Sequence, residues 1–203
     1  MGVKLWDVAW RSYSAGPSPF DNLRTEYYLK GCDKALQGNP CDGCFNPDLW
    51  DNTAEKKVNT DLIIHTASQY APTKYVSIGG GEPTDQLNGL IDLCHAFQDA
   101  GYHVLVYTWR SLMNHLHDLK GLIHCTDMII DGPYKKGQRI YDATKQDGFL
   151  NSIGSSNQVI WDTSLAGTGT VIGYRAGDLK GLTLQEKLIF HTKGGAKEKK
   201  IAV

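Results

Sequence analysis

The chain has 203 residues, 21 of them Lys or Arg and 22 Asp or Glu, for a formal net charge of −1. A near-neutral balance offers no electrostatic footprint for a nucleic acid or an anionic membrane surface, and no apolar run approaches the length that spans a bilayer. The length suits one domain with a substantial core, and the N-terminus lacks the apolar centre of a signal peptide, so a cytoplasmic protein is expected.

Residues 1–22 are irregular and rich in Gly, Pro and Ser, and are expected to form an extension. Residues 23–31, LRTEYYLKG, carry β-favouring side chains and stop at Gly31, the pattern of a strand. The segment GCDKALQGNPCDGCFNPDLW, residues 31–50, follows with no regular apolar period and holds three of the five cysteines, spaced Cys-x8-Cys-x2-Cys.

From Asn59, residues Leu62, Ile63, His65, Thr66, Ala67 and Tyr70 fall near helical spacing behind Asn59 or Thr60 as cap. KYVSIGG (74–80) predicts a short strand and DQLNGLIDLCHAFQDAG (85–101) an amphipathic helix closed by Gly101. The alternation continues with a strand in 102–109, a helix in 111–121 and a strand in 125–134, and two more strands are expected in 154–162 and 170–176. Repeated strand-helix units predict a parallel sheet covered by helices, with a core domain over 23–165 and a C-terminal extension over 166–203. The tail HTKGGAKEKKIAV is expected to be a solvated end without chemistry.

Five cysteines, three of them clustered and none obviously paired, fit a reducing compartment and a metal site better than a disulfide framework. Three thiolates on one loop can hold three corners of a cubane iron-sulfur cluster and leave the fourth iron open. The competing possibility is structural zinc, with Cys41-x2-Cys44 as a knuckle and Cys94, Cys125, His65 or His95 joining Cys32 to complete a tetrahedron. A second loop, SIGGGEPTD (77–85), follows a strand; its glycines let backbone approach a ligand closely, and Glu82 adds an acceptor for an ammonium group. Taken alone, such a glycine run makes only a turn. Both loops follow strand C-terminal ends, where α/β folds gather ligand sites, so they are expected to share a cleft.

Gly80, Gly81, Glu82 and Pro83, together with the three-cysteine loop, resemble the radical S-adenosylmethionine superfamily. Within it, CDGCFNPDLWD (41–51), DMIIDGPY (127–134) and GSSNQVIWD (154–162) look like landmarks of the activating proteins of anaerobic ribonucleotide reductase. One departure stands out: that family usually has three residues between its first two cysteines, whereas DKALQGNP puts eight between Cys32 and Cys41. Loop closure over a few extra residues costs about 0.6 kcal/mol per doubling of length, so the insertion does not forbid a cluster.

The resemblance implies an α/β fold, a partial (β/α) barrel with parallel strands and an open edge. It implies a [4Fe-4S] cluster on Cys32, Cys41 and Cys44, S-adenosylmethionine chelated to the open iron, and reductive cleavage to methionine and a 5′-deoxyadenosyl radical. By the same resemblance the backbone around Gly80, Gly81 and Glu82 takes the methionine ammonium, Phe45 lies against the adenine unless it is simply a core residue, and Asn157 contacts the nucleotide. Asp131 is left as a backbone cap, and Cys94 and Cys125 as small apolar core residues. The implied partners are the large subunit of anaerobic ribonucleotide reductase, as protein substrate, and an electron donor such as flavodoxin or ferredoxin. Alternatives are a 7-carboxy-7-deazaguanine synthase-like radical enzyme, an activase of another glycyl-radical enzyme, and a non-enzymatic zinc-binding or electron-transfer module.

Overall fold

The computed structural model describes residues 2–12, 23–52, 56–140, 153–164, 166–176 and 199–203. The Gly-, Pro- and Ser-rich stretch after residue 12, the boundaries placed at residues 22 and 165, and the tail before residue 199 fall outside the described residues.

Four strands form the parallel centre expected from the alternation: β3 (Arg24–Leu29), β5 (Tyr75–Gly80), β6 (His103–Thr108) and β7 (Met128–Asp131). Their register sets Thr25 opposite Val76, Val76 opposite Val104 and Leu105 opposite Met128. Helices α2 (Thr60–Tyr70), α3 (Leu87–Asp99) and α4 (Leu116–Ile123) make the crossovers. Asn59 caps α2 by accepting the Asp61 N–H, whereas α4 begins five residues later than expected, because residues 112–114 form a turn first. The carboxylate of buried Asp131 anchors that turn by accepting the Leu112 N–H, so Asp131 is a backbone cap.

The sheet is mixed, not purely parallel. The flanking strands β8 (Val159–Asp162), β9 (Thr170–Arg175) and β10 (Lys199–Ala202) run antiparallel to their neighbours, as does β2 (Leu5–Ser12) on β3. Among the described residues the order is β10-β9-β8-β7-β6-β5-β3-β2, eight strands with two unpaired edges. Two expectations are thereby corrected. The opening residues are regular: besides β2, β1 (Gly2–Val3) pairs antiparallel with β4 (Val58–Asn59), and Val3 is wholly buried. The last residues are structural too, because β10 pairs with β9 and Ile201 packs into the core.

Side chains alternate across this sheet, as pleating requires. Tyr27, Leu29, Val76, Ile78, Val104, Val106, Ile129 and Trp161 face the helices and, with Leu90, Leu93, Phe97, Leu119 and Leu122, make the main core. Cys94 and Cys125 are fully buried in that core and behave as small apolar residues. On the opposite face Leu105, Met128, Ile130, Ile153, Ile160 and Ala176 form a second apolar cluster, flanked by Tyr107. No helix among the described residues is long and apolar enough to cross a membrane.

Candidate functional site

Parallel strands put their C-terminal ends on one edge, and all four central strands lead there into the walls of one open cavity of about 430 Å³. Its lining includes Cys32, Cys41 and Cys44 from the loop after β3, residues 79–82 at the end of β5, Thr108 and Trp109 at the end of β6, and Gly132 and Tyr134 after β7. Its size is that of a cleft for a small ligand or cofactor. The two loops expected to share a cleft do so.

Backbone hydrogen bonds hold these loops together. Gly31 N–H donates to the Leu49 carbonyl (2.8 Å) and Cys32 N–H to the Trp50 carbonyl (3.1 Å), closing the base of the cysteine loop. Gly81 N–H donates to the Leu29 carbonyl (2.9 Å) and Glu82 N–H to the Gly31 carbonyl (2.7 Å), tying the glycine loop to the residue before Cys32. Glycine is required for this approach: a Cβ on Gly81 would stand 2.2 Å from the Gly31 carbonyl oxygen and 2.7 Å from that of Leu49. Gly80 adds a positive φ of 116°. Asn46 bridges the loops from the other side, its Nδ2 donating to the Gly80 carbonyl at 3.1 Å.

The eight residues between Cys32 and Cys41 include a single helical turn, α1 (Asp33–Leu36). It is pinned on the glycine-loop side: Asp33 N–H donates to Asp85 at 2.6 Å, and the Lys34 ammonium lies 5.6 Å from the centre of the Trp109 ring. The long spacing therefore gives an ordered excursion that returns Cys41 to the same cavity as Cys32. Burial pushes the thiols of Cys32 and Cys41 above their ordinary value; at Cys32 a hydrogen bond from the Ala35 backbone opposes the shift and the Glu82 charge adds to it. Thiolates formed here need a cation to stabilise them.

Glu82, expected as an acceptor for an ammonium, is 1% exposed, and its carboxylate is held by donors of the protein. Oε1 accepts from Thr84 N–H (3.0 Å), the Thr84 hydroxyl (2.5 Å) and the Thr108 hydroxyl (2.8 Å), and Oε2 accepts from Trp109 N–H (2.9 Å). Burial pushes its pKa up while these hydrogen bonds pull the other way. Arg110 completes the knot, 3.5 Å from Glu82, 2.7 Å from Asp85 and 2.6 Å from the Thr84 hydroxyl. The Glu82 side chain thus shapes the loop, and Gly80, Gly81 and Glu82 line the cavity.

Phe45 lines the cavity mouth, 56% exposed with its ring 4.4 Å from that of Tyr134, so it is not a core residue. Asn157 is not brought into the wall: its Nδ2 donates to the Pro133 carbonyl (2.9 Å), while neighbouring Gln158 lines the cavity. Sequence reasoning missed Asn46, Arg110 and the pocket-lining Trp109, whose indole N–H is buried with no partner among the described residues.

The donor set fits a cluster better than a structural zinc. Cys32, Cys41 and Cys44 line one cavity as free thiols. Three thiolates are the protein donors of a cubane with one open iron, whereas a structural zinc takes four ligands. Of the residues weighed as a fourth zinc ligand, Cys94 and Cys125 are in the core behind the sheet, and His65 and His95 are exposed on α2 and α3; none lines the cavity.

A search of curated proteins gives no match to this chain. A family model described as a 4Fe-4S single cluster domain matches residues 21–161, which run from the threshold of β3 to β8 and include the cysteine loop and the glycine loop. By that match the chain belongs to the 4Fe-4S single cluster domain family.

Proposed function

We propose that the chain is a radical S-adenosylmethionine activase that generates a glycyl radical on the large subunit of an anaerobic ribonucleotide reductase. The observation that carries this reading is the meeting of the three cysteines and the Gly80-Gly81-Glu82 backbone in one open cavity at the strand ends. An electron-carrying protein needs only the cysteines; a cavity beside them, walled by bare glycine backbone, is what a cosubstrate requires.

Cys32, Cys41 and Cys44 are the residues that would hold the cluster, and three thiolates on four irons would leave one iron without a protein ligand. When bound, the cluster supplies one electron for cleavage of the sulfonium of S-adenosylmethionine to methionine and a 5′-deoxyadenosyl radical. The protein orients that cosubstrate. Gly80 and Gly81 let its amino-acid end come against backbone, and Phe45 with Tyr134 forms an aromatic wall at the mouth for the adenine. The radical takes a hydrogen atom from the Cα of a glycine, giving 5′-deoxyadenosine and leaving the unpaired electron on the partner. The cavity opens to solvent at the mouth marked by exposed Phe45, so a loop of a large protein has access. The electron comes from a donor such as flavodoxin or ferredoxin.

The test is anaerobic reconstitution with iron and sulfide, reduction with dithionite, and measurement of 5′-deoxyadenosine formed from S-adenosylmethionine, with Cys44→Ala as control. Product from wild type alone, followed by a glycyl-radical EPR signal when the reductase large subunit is added, supports the proposal. A reconstituted cluster that yields no 5′-deoxyadenosine sinks it.

A further inference from the structure

Trp50 closes the cysteine loop from both sides. Its backbone carbonyl accepts the Cys32 N–H at 3.1 Å, and its indole Nε1–H donates to Cys44 Sγ at 3.4 Å. The residue is placed by the 3₁₀ turn Pro47–Leu49, which ends with Trp50 N–H donating to the Pro47 carbonyl and with Leu49 buried beneath the loop. The indole and the thiol are both only half-exposed, so water does not freely replace the bond. Trp109 makes an informative contrast: it lines the same cavity, yet its N–H meets no sulfur or other partner among the described residues.

We propose that Trp50 tunes the reduction potential of the cluster through this N–H···S hydrogen bond to Cys44. The inference rests on the cluster assignment above and goes beyond it by assigning a role to a residue that is not a ligand. The added electron of the reduced cluster is shared with its thiolate sulfurs, so Cys44 Sγ carries more negative charge after reduction. A donor aimed at that sulfur stabilises the reduced form more than the oxidised one, and hydrogen bonds to sulfur are among the known determinants of cluster potential. No proton is transferred: one electron enters from the external reductant and the N–H bond stays intact. Trp50 is a positioning residue, acting through Cys44 and touching no substrate.

The experiment is a redox titration of the reconstituted holoprotein, followed by EPR of the reduced cluster, on wild type, Trp50→Phe, Trp50→His and Trp6→Phe. Trp50→Phe keeps a flat ring and the backbone bond to Cys32 and loses the N–H. The expected result is unchanged iron content and a cluster about tenfold harder to reduce, a potential about 59 mV more negative for one electron. Trp50→His, which keeps a ring N–H, is expected to recover most of the shift, and Trp6→Phe, on exposed β2, to leave the potential unchanged. A loaded Trp50→Phe protein with the wild-type potential overturns the proposal. Where Trp50→Phe does not load, wild type carrying indole-¹⁵N tryptophan decides: a nitrogen coupling in the pulsed EPR of the reduced cluster supports the bond, and its absence overturns it. Wild type that takes up iron but cleaves no S-adenosylmethionine refutes the activase and leaves the tuning standing; wild type that assembles no cluster refutes both.

Discussion

Gly81→Ala tests the central claim, that the glycine loop and the cysteine loop are held in backbone contact. The new Cβ would lie 2.2 Å from the Gly31 carbonyl oxygen and 2.7 Å from the Leu49 carbonyl oxygen. Both obstacles are backbone, so no side-chain rotation relieves the clash, and the loops have to separate by about 1 Å or more. Separation breaks or weakens the bonds from Gly81 N–H to Leu29 and from Glu82 N–H to Gly31, each worth about 1 kcal/mol. Overpacking of the site adds about 1–3 kcal/mol, for an expected loss of about 3–5 kcal/mol, a large share of the stability of an ordinary domain. Urea unfolding of the apoprotein measures it, and iron content after reconstitution reports whether Cys32 keeps its place. Gly137→Ala is the control, since a Cβ there meets nothing within 4 Å, and it is expected to change stability by less than about 0.5 kcal/mol. A Gly81→Ala protein within about 1 kcal/mol of wild type and fully loaded with iron would refute the packing argument.

Three further outcomes are expected. Cys41→Ala abolishes cluster uptake, read as lost iron and lost visible absorption, whereas Cys94→Ala, in the core behind the sheet, retains both; loss of iron from Cys94→Ala alone would point to a different ligand set. Arg110→Ala strands the buried Glu82 carboxylate and the Asp85 carboxylate, and because Arg110 itself keeps some solvent contact the expected loss is about 2–3 kcal/mol in urea unfolding, with Arg110→Lys restoring only part because it cannot reach Thr84 and Asp85 together. Burial and the adjacent Arg24 guanidinium push the His103 pKa from 6.5 down to about 4; the folded chain keeps it neutral where the unfolded chain takes a proton, so this contribution is intact above pH 6.5 and is lost as pH falls toward 4. At 1.36 kcal/mol per pH unit it amounts to at most about 3 kcal/mol, and His103→Gln should flatten that part of the stability profile.

The parts of this molecule that were legible in its sequence are those specified locally. Each central unit carries its own signals within some thirty residues: the apolar run of Tyr75–Gly80, the glycines that end it, and the amphipathic spacing of Leu90, Leu93, Cys94 and Phe97 on α3. The site's outline was legible for the same reason, since cysteine spacing and a glycine run are local features. The outer strands were not. β2 offers only half-buried and exposed side chains along Leu5–Ser12, and what makes it a strand is its antiparallel pairing to β3. β10 is four residues long, in a basic and glycine-rich context, and owes its existence to the free edge of β9. With β2 and β10 unforeseen, and with nothing in the local pattern of the expected strands β8 and β9 to give their antiparallel direction, a parallel sheet was expected where a mixed one forms.

The side chains that brace the site escaped notice for a related reason: their partners are remote in the chain. Asn46 reaches Gly80 across 34 positions, and Arg110 reaches Thr84 and Asp85 across 26 and 25. Nothing in the triplet Thr108-Trp109-Arg110 marks it as part of a metalloprotein site. It becomes one because β5 and β6 are parallel and in register, with Ile78 opposite Val106, so that the residues just past the end of β6 come level with those just past the end of β5. Once that pairing is known, a buried carboxylate at Glu82 demands donors, and Thr108, the Trp109 backbone and Arg110 are the groups that the register delivers to it.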